Sequence, residues 1–215
     1  MLASAANDPR RSGTIWMMNL DWPAPVITPL VSATFCRLGP ESIPAMVSAT
    51  GRYTSANLLK RFESGRRCYT AWVDGQLAAY GWVSLDEELI GELSLRIKLV
   101  PGEAYIWDCA TLPAYRQKRL YSALLVYIVE ELRLEGLCRV WIGADQDNDP
   151  SQRGIANAGF RHIADLGISH VLALRQVWVQ GQPGVPDHVL AEARRAFLGD
   201  RDKVWQKAVS PPAGR

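Results

Sequence analysis

Residues 104–143 read in order as an apolar strand, a short basic loop, a long amphipathic helix and a second apolar strand. The helix is expected over 114–135, because apolar residues recur every four positions from Leu120 to Leu132 and Gly136 then stops the pattern. A strand–helix–strand unit of this length forms a crossover connection. The strands at 104–111 and 138–143 are therefore expected to be parallel neighbours in one sheet.

The basic loop at the start of this helix has the properties of an anion site. The first-turn backbone N–H groups of a helix have no intrahelical partner, and the helix dipole places positive potential there. Arg116, Lys118 and Arg119 add cationic charge beside them. The pattern favours a phosphate or pyrophosphate ligand, and the alternative is a solvated helix start whose charges are incidental.

The elements around this unit predict a mixed sheet. Asp74-Gly75 between the apolar runs 68–73 and 77–85 indicates a β-hairpin. The alternation over 90–99 is typical of a half-exposed antiparallel strand. Further strands are expected at 31–38, from Phe160 onward and at 171–179, and further helices at 41–50, 55–63 and 151–158. The expected fold class is therefore α/β (α+β), an antiparallel meander followed by a βαβ unit.

We expect three parts along the chain. Residues 1–29, with four prolines, are expected to form an irregular N-terminal arm. Residues 30–180 carry the folded domain. Residues 181–215 follow a Gly/Pro break and contain a short apolar helical stripe, which predicts a C-terminal helical extension.

Bulk composition excludes several classes of function. A net charge of +2 on 215 residues is too small for nucleic-acid or membrane binding through overall charge. The start of the chain lacks the pattern of a signal peptide. The four cysteines form no CxxC pair, so no metal site is expected, and buried reduced thiols in a cytoplasmic protein are the favoured interpretation.

Three motifs in register resemble those of the GNAT acyltransferases. Arg116–Tyr121 occupies the frame of that family's pyrophosphate loop, (Gln/Arg)-x-x-Gly-x-(Gly/Ala). Thr111-Leu-Pro113 is similar to the end of its central strand. Asn148-x-x-Ser151, followed by Gly159-Phe160, is similar to its downstream segment. The resemblance covers about residues 30 to 180 and implies a splayed central strand pair.

The resemblance also implies a binding site for acetyl-CoA as acyl donor. Its pyrophosphate would lie on the loop and first helical turn, Arg116, Gln117, Lys118, Arg119, Leu120, Tyr121 and Ser122. Its pantetheine arm would pair with a bulged strand end at Ala110, Thr111 and Leu112. Asn148 and Ser151 would lie beside the arm and the thiol, although Asn148 is equally suited to cap the helix that follows.

The chain departs from the family pattern at three positions. Arg119 stands where the first motif glycine is usual, and Tyr121 where the last Gly/Ala is usual. Ile155 stands where many members have a tyrosine that protonates the leaving thiolate. An acid must therefore come from elsewhere, and Tyr121 is the candidate.

Asp108 is the candidate for handling the amine, because it interrupts an apolar strand and a buried carboxylate must be paired or functional. Tyr105 lies where some members place a carboxylate, so it is a second catalytic candidate. The alternative for Asp108 is a structural salt bridge. Cys109 is expected to pack in the core, and Glu92 and the three histidines to have no catalytic role.

The predicted function is transfer of an acetyl group from acetyl-CoA to a primary amine by direct attack, with the carbonyl held by a backbone N–H near Thr111 or Leu112. The acceptor would be a small molecule or a peptide. The alternative is a non-catalytic acyl-CoA-binding module with a degenerate GNAT fold. The terminal segments are candidates for homodimer contacts or for covering the acceptor site.

Overall fold

The computed structural model describes residues 10–90, 95–171, 174–199 and 203–207. Eleven strands occur in this part of the chain: β1 Arg10–Asn19, β2 Thr34–Leu38, β3 Arg67–Val73, β4 Gln76–Ser84, β5 Glu87–Ile90, β6 Leu95–Lys98, β7 Glu103–Thr111, β8 Arg139–Asp145, β9 Arg161–Val171, β10 Leu174–Gly181 and β11 Lys203–Lys207. Five α-helices accompany them: α1 Ile43–Thr50, α2 Ser55–Glu63, α3 Leu120–Leu134, α4 Asp149–Asn157 and α5 Asp187–Leu198.

Nine of these strands form one mixed sheet in the order β11-β10-β9-β1-β8-β7-β4-β3-β2. β7 and β8 pair in parallel, and the other described pairs in this sheet are antiparallel. The parallel crossover expected from the sequence and the mixed α/β class are therefore confirmed. β5 and β6 form a separate two-stranded hairpin.

The two faces of the sheet carry different helices. The α3 face is covered by α3 and α4, which pack on Ile106, Val140 and Ile142. The opposite face, called here the α5 face, is covered by α5 and the β5–β6 hairpin at one end. At its other end it is covered by α1 and α2. The alternation of side chains along β7 sends Ile106 to the α3 face and Tyr105 to the α5 face.

Several expected boundaries are wrong. The central helix begins at Leu120, not at 114. Pro113–Tyr115 forms a 3-10 turn, and the basic loop lies between this turn and the helix. The run at 90–99 is not one strand, since Ile90 ends β5 and pairs with Leu95 of β6. Residues 91–94, including Glu92, and the side chain of His170 lie outside the described part of the structure.

The N-terminal arm is not irregular over residues 10–19, which form β1 between β8 and β9 in the middle of the sheet. Residues 20–33, called here the strap, do lack regular structure. At the other end α5 packs on the α5 face and β11 pairs with β10. The three-part division of the chain stays a prediction.

Candidate active site

The strands β7 and β8 separate in the middle of the sheet. Their parallel pairing stops at Ile106–Ile142. Beyond this point β7 continues beside β4, and β8 continues beside β1. The separation opens a cleft of about 490 Å³ that is lined from both faces of the sheet. Such a gap leaves backbone groups of β7 without a neighbouring strand, so an extended ligand can pair with them.

A β-bulge marks the separation on β7. The register with β4 shifts between Trp107 and Ala110, opposite Gly81. Asp108 has a φ of 44°, which is uncommon for a residue other than glycine. Gly81 allows this bulge, because a Cβ there would lie 2.9 Å from the Cys109 Sγ. The bulge was expected at 110–112 and actually lies at 108–109.

The bulge decides which N–H groups of β7 face the cleft. The N–H of Leu112 donates to the Ala78 carbonyl at 2.9 Å, so Leu112 cannot supply the donor expected of it. N–H groups alternate between the two edges of a strand. The N–H of Thr111 therefore points away from β4, toward the cleft. The carbonyl of Thr111 accepts from Arg116 Nε at 3.3 Å.

The loop before α3 keeps a conformation suited to an anion. Gln117 and Arg119 have φ values of 61° and 59°. Two residues with side chains therefore adopt the left-handed backbone conformation that favours glycine. The first intrahelical bond runs from the Ala123 N–H to the Arg119 carbonyl. Among the described backbone bonds outside helices and strands, none is donated by the N–H groups of residues 117–122. These donors, with the cations of the loop, form a positive rim.

Tyr121 enters the cleft from α3. Its ring packs on α4 at Gly154, where a Cβ would lie 2.4 Å from a ring carbon, and its hydroxyl lies 3.2 Å from the Ser151 hydroxyl. Burial raises the pKa of Tyr121, so the phenol stays protonated. Ile155, at the position usual for the family's acid, is fully buried in the core of the α3 face and cannot donate.

Asn148 and Ser151 lie where α4 begins, on the cleft wall. The Asn148 side chain accepts the Ser151 N–H at 3.1 Å, so it caps α4. Ser122, also expected at the cofactor site, is buried and donates to the Gly154 carbonyl at 2.9 Å. Its side chain therefore joins α3 to α4, and its backbone N–H is what remains for an anion.

Asp108 is a charge-paired carboxylate on the α5 face of the cleft. Its Oδ2 accepts from Arg61 Nη1 and from the Tyr53 hydroxyl, each at 2.7 Å. Its Oδ1 lies 3.7 Å from Arg52 Nη1. Burial, followed by the hydrogen bonds to Tyr80 and Asp108, raises the pKa of Tyr53, so Tyr53 remains a donor to this carboxylate.

An aromatic cage holds Arg61 in place. Its guanidinium carbon lies 4.5 Å from the ring centroid of Trp107 and 4.9 Å from those of Tyr53 and Trp82. None of these partners of Asp108 was found from the sequence. Arg52, Tyr53 and Arg61 lie in the α1–α2 region, about fifty residues before Asp108, so no local pattern connects them to it. The sequence showed only that Asp108 is a carboxylate on an apolar strand and needs a partner.

Tyr105 lines the cleft just before β7 and β8 part. It is buried and packs edge-on against Phe197 of α5, with the ring centroids 6.0 Å apart. Its hydroxyl lies 3.4 Å from where a Cβ of Gly143 would stand. Tyr105 therefore faces the same half of the cleft as Asp108, and both lie opposite Tyr121.

The other titratable side chains are less suited to this chemistry, although Cys109 also lines the cleft. Burial raises the pKa of the Cys109 thiol, which disfavours the thiolate that a nucleophile needs. Cys138 is exposed, contrary to the expectation of buried thiols. His162 stacks on Trp16 and lies 3.1 Å from Asp165 Oδ1, while His188 is exposed on α5.

Glu88, on β5, is a cleft residue that the sequence did not single out. It is buried and accepts from Arg66 Nε at 2.7 Å and from the Ser84 hydroxyl at 2.6 Å. Within the described residues no group of three or more His, Cys, Asp or Glu side chains could hold a metal ion. In the same part of the chain no helix combines the length and apolarity needed to cross a membrane.

Solved structures share this architecture. An acetyltransferase of the GNAT family from Colwellia psychrerythraea aligns with a TM-score of 0.54 at 15% identity, covering 81% of this chain and 57% of the other. A GCN5-related N-acetyltransferase from Sphaerobacter thermophilus aligns with a TM-score of 0.53 at 17% identity, covering 72% and 49%. The chain thus spans about half the length of these proteins, and at such identities the likeness shows the fold alone.

None of the curated proteins matches the sequence significantly. The family model described as the acetyltransferase (GNAT) family does match, over residues 40–160, which is more than half of the 215 residues. The matched region contains the bulged strand β7, the basic loop, α3 and α4. The chain belongs to the acetyltransferase (GNAT) family.

Proposed function

We propose that this chain transfers an acetyl group from acetyl-CoA to a primary amine by direct attack. The observation that carries the proposal is the cleft between β7 and β8, which extends from Tyr121 in the first turn of α3 to a charged, aromatic-walled space on the α5 face. Two substrates entering from opposite faces would meet where the strands part. Placing two reactants in this way removes much of the entropic barrier to their reaction.

The residues of the α3 face fit a CoA pyrophosphate. The N–H groups of residues 117–122 would bind its oxygens, and Arg116 and Arg119, both exposed, would pair with its charge. Lys118 lies 5.3 Å from the ring centroid of Tyr115, which holds its ammonium group close to the loop. Arg119 keeps the left-handed backbone that the loop needs, at a cost of about 1–2 kcal/mol.

The pantetheine arm would extend along β7 toward the bulge. The N–H of Thr111 would pair with one of its amides. The N–H of Cys109, within the bulge, would donate to the carbonyl oxygen of the thioester. When bound, acetyl-CoA supplies an activated acyl group whose oxygen gains negative charge during transfer, and a fixed N–H aimed at that oxygen is a large source of stabilisation.

Acid and base chemistry would come from opposite walls of the cleft. Tyr121 would donate its proton to the departing thiolate, with Ser151 holding its hydroxyl in place. Tyr105 and Asp108 would hold the amine, and water in the open cleft would carry its proton away. Cys109 forms no covalent intermediate in this scheme, and a trapped acyl-cysteine would contradict it.

Calorimetry with acetyl-CoA and CoA tests the donor site. Arg116→Ala/Arg119→Ala should raise the dissociation constant at least about tenfold, because two charge-assisted bonds to phosphate are lost. Arg96→Ala, an exposed arginine on β6, is the matched control and should bind like wild type. No binding to wild-type protein near millimolar ligand would refute the proposal.

An amine screen then distinguishes transfer from binding alone. The non-catalytic alternative requires tight acetyl-CoA binding and no acetylation of any amine. The structure accommodates both departures in the loop, since Arg119 adopts the left-handed conformation and Tyr121 fits against Gly154. We therefore expect acetylation, read as release of the CoA thiol.

A further inference from the structure

Arginines outnumber carboxylates around Asp108 and Glu88. Asp108 pairs with Arg61 at 2.7 Å, and Glu88 pairs with Arg66 at 2.7 Å. Arg52 adds a third guanidinium to these two carboxylates, so the five side chains carry one surplus positive charge. Asp145, at the outer end of β8, is exposed and already engaged in an interaction of its own.

Arg52 presents free donors to the cleft. Its side chain is 61% exposed, and its Nη1 donates to the Tyr80 hydroxyl at 3.1 Å. That is the one described hydrogen bond of its guanidinium, which has five N–H donors. Tyr80 and the nearby Tyr53 ring, 5.6 Å from the guanidinium carbon, hold one side of the group and leave the other open.

Asp108 retains one oxygen for a donor group of the acceptor. Its Oδ2 is occupied by Arg61 and Tyr53, whereas its Oδ1 has Arg52 only at 3.7 Å, beyond hydrogen-bond length. An amine at Oδ1 would lie beside two guanidinium groups. Their positive charge opposes the stabilisation of the ammonium form by the Asp108 carboxylate, which leaves more of the amine in the neutral form that attacks.

We infer that the acceptor amine also carries a carboxylate, and that Arg52 binds this carboxylate while Asp108 binds the amine. The inference rests on the proposed function and names the substrate class of the same cleft. An amino and a carboxylate group of one molecule would lie antiparallel to the Arg52–Asp108 pair, with the carboxylate accepting from Arg52 and the amine donating to Asp108.

The remaining walls indicate the rest of the acceptor. The α5 face of the cleft is otherwise lined by apolar and aromatic side chains from the hairpin, β7, β9 and α5, namely Leu89, Ile90, Tyr105, Trp107, Leu166 and Phe197. An apolar or aromatic substituent would cover the parts of Leu89, Ile90 and Trp107 that are exposed to water. The acceptor class is therefore an apolar amino acid or a molecule with its head group.

Matched substrates test the inference. Phenylalanine is compared with phenethylamine, and leucine with isoamylamine, since each pair differs by the carboxylate alone. Wild type should show the higher kcat/KM for the carboxylated member. Arg52→Gln should lower the ratio within each pair by about 10- to 100-fold, the loss expected for a charged bidentate contact.

Two further variants separate charge from geometry. Arg52→Lys keeps the positive charge but not the planar fork, so it should retain an intermediate ratio. Arg37→Gln changes an arginine that is 48% exposed and lies outside the cleft, and it should leave the ratio at the wild-type value. Equal use of both members by wild type, or an unchanged ratio in Arg52→Gln, would overturn the inference.

Calorimetry with the acetylated products, in the presence of CoA, gives a readout that needs no turnover. N-acetylphenylalanine should bind tighter than N-acetylphenethylamine, and Arg52→Gln should abolish the difference. This result without acetylation of any amine would refute the proposed function and would leave only Arg52 as a carboxylate-binding residue of the cleft. Acetylation of amines with no preference for a carboxylate would support the proposed function and refute the inference about the acceptor.

Discussion

At the scale of single residues, Tyr121 and Gly154 form one unit. Tyr121 stands where the family usually has a small residue, and the ring has room only because α4 presents a glycine at the contact. A tyrosine hydroxyl thus reaches the cleft from α3, although α4 carries Ile155 at the position where many members have their acid. Ile155 has an aliphatic side chain with no proton to donate, and it packs in the core.

Replacing Tyr121 by phenylalanine should lower kcat while leaving KM for acetyl-CoA nearly unchanged. The ring keeps its packing on Gly154, and only the proton donor is lost, an effect of about 100-fold or more for general acid catalysis. Because burial raises the pKa of Tyr121 above its usual range, wild-type kcat should not fall from loss of this proton between pH 7 and 9. Steady-state kinetics across that range measures both.

Tyr127→Phe is the control for this prediction. Tyr127 lies further along α3 and outside the cleft, so kcat should stay at the wild-type value. Wild-type kcat in Tyr121→Phe would remove Tyr121 from the role of acid. A decline of wild-type activity over pH 7–9 that Tyr121→Phe abolishes would instead contradict the raised pKa of Tyr121.

At the scale of elements, the strap over residues 20–33 holds the anion loop from outside. Arg133 of α3 donates to the carbonyls of Leu20 and Trp22, each at 2.7 Å. At its far end the Leu30 N–H donates to the Lys118 carbonyl at 3.0 Å. The C=O and the following N–H of a trans peptide point in opposite directions. The hydrogen bond from the strap therefore turns the Arg119 N–H away from the strap and toward the positive rim.

Leu30→Pro should weaken CoA binding about 3- to 10-fold, the usual net value of one hydrogen bond. Proline removes the N–H and frees the peptide between Lys118 and Arg119 to rotate. The Leu30 side chain is 61% exposed, so little packing is lost. Calorimetry with CoA measures the effect.

Leu30→Ala keeps the N–H and is the matched control, which should bind CoA like wild type. Equal affinities of the proline and alanine variants would show that the strap has no part in positioning the loop. Circular dichroism should show that both variants are folded, so that a difference in CoA affinity reports the loss of the N–H group.

At the scale of the whole molecule, Glu103 joins the C-terminal helix to the sheet. Its side chain is 1% exposed and its Oε1 accepts from Arg139 Nη1 at 3.0 Å and from Arg195 Nη2 at 2.7 Å. Arg195 belongs to α5, and Phe197 of the same helix lines the cleft. The position of α5 therefore sets both the stability of the α5 face and the shape of the proposed acceptor space.

Glu103→Ala should lower the free energy of unfolding by about 3–5 kcal/mol, because it leaves two arginines without their buried partner. Urea unfolding measures this loss, and hydrogen exchange should show faster exchange in α5 under native conditions. Glu87→Ala breaks an exposed pair with Arg96 and should cost no more than about 1 kcal/mol. Similar losses in both variants would contradict the role given to Glu103.

Local sequence patterns were enough to predict the order of most elements and the position of the basic loop before α3. Apolar periodicity is a local property, so α2, the β3–β4 hairpin, β7 and β8 lie within one or two residues of their expected ranges. The pyrophosphate frame is also local, since six consecutive residues carry it. The mixed fold and the family followed from these two facts taken together.

Tertiary structure alone decided the position of β1, the bulge and the partners of Asp108. β1 pairs with strands more than a hundred residues away, as in the bond from Thr14 Oγ1 to the Ala144 carbonyl across 130 positions, and no local pattern signals such a partner. The carboxylate of Asp108 was visible in the sequence as a charge without a partner. The packing of α1 and α2 beside the bulge decides which guanidinium group neutralises this carboxylate and which of its oxygens stays open. The reason is that Coulomb and hydrogen-bond energies depend on distances, and those distances are set by tertiary packing.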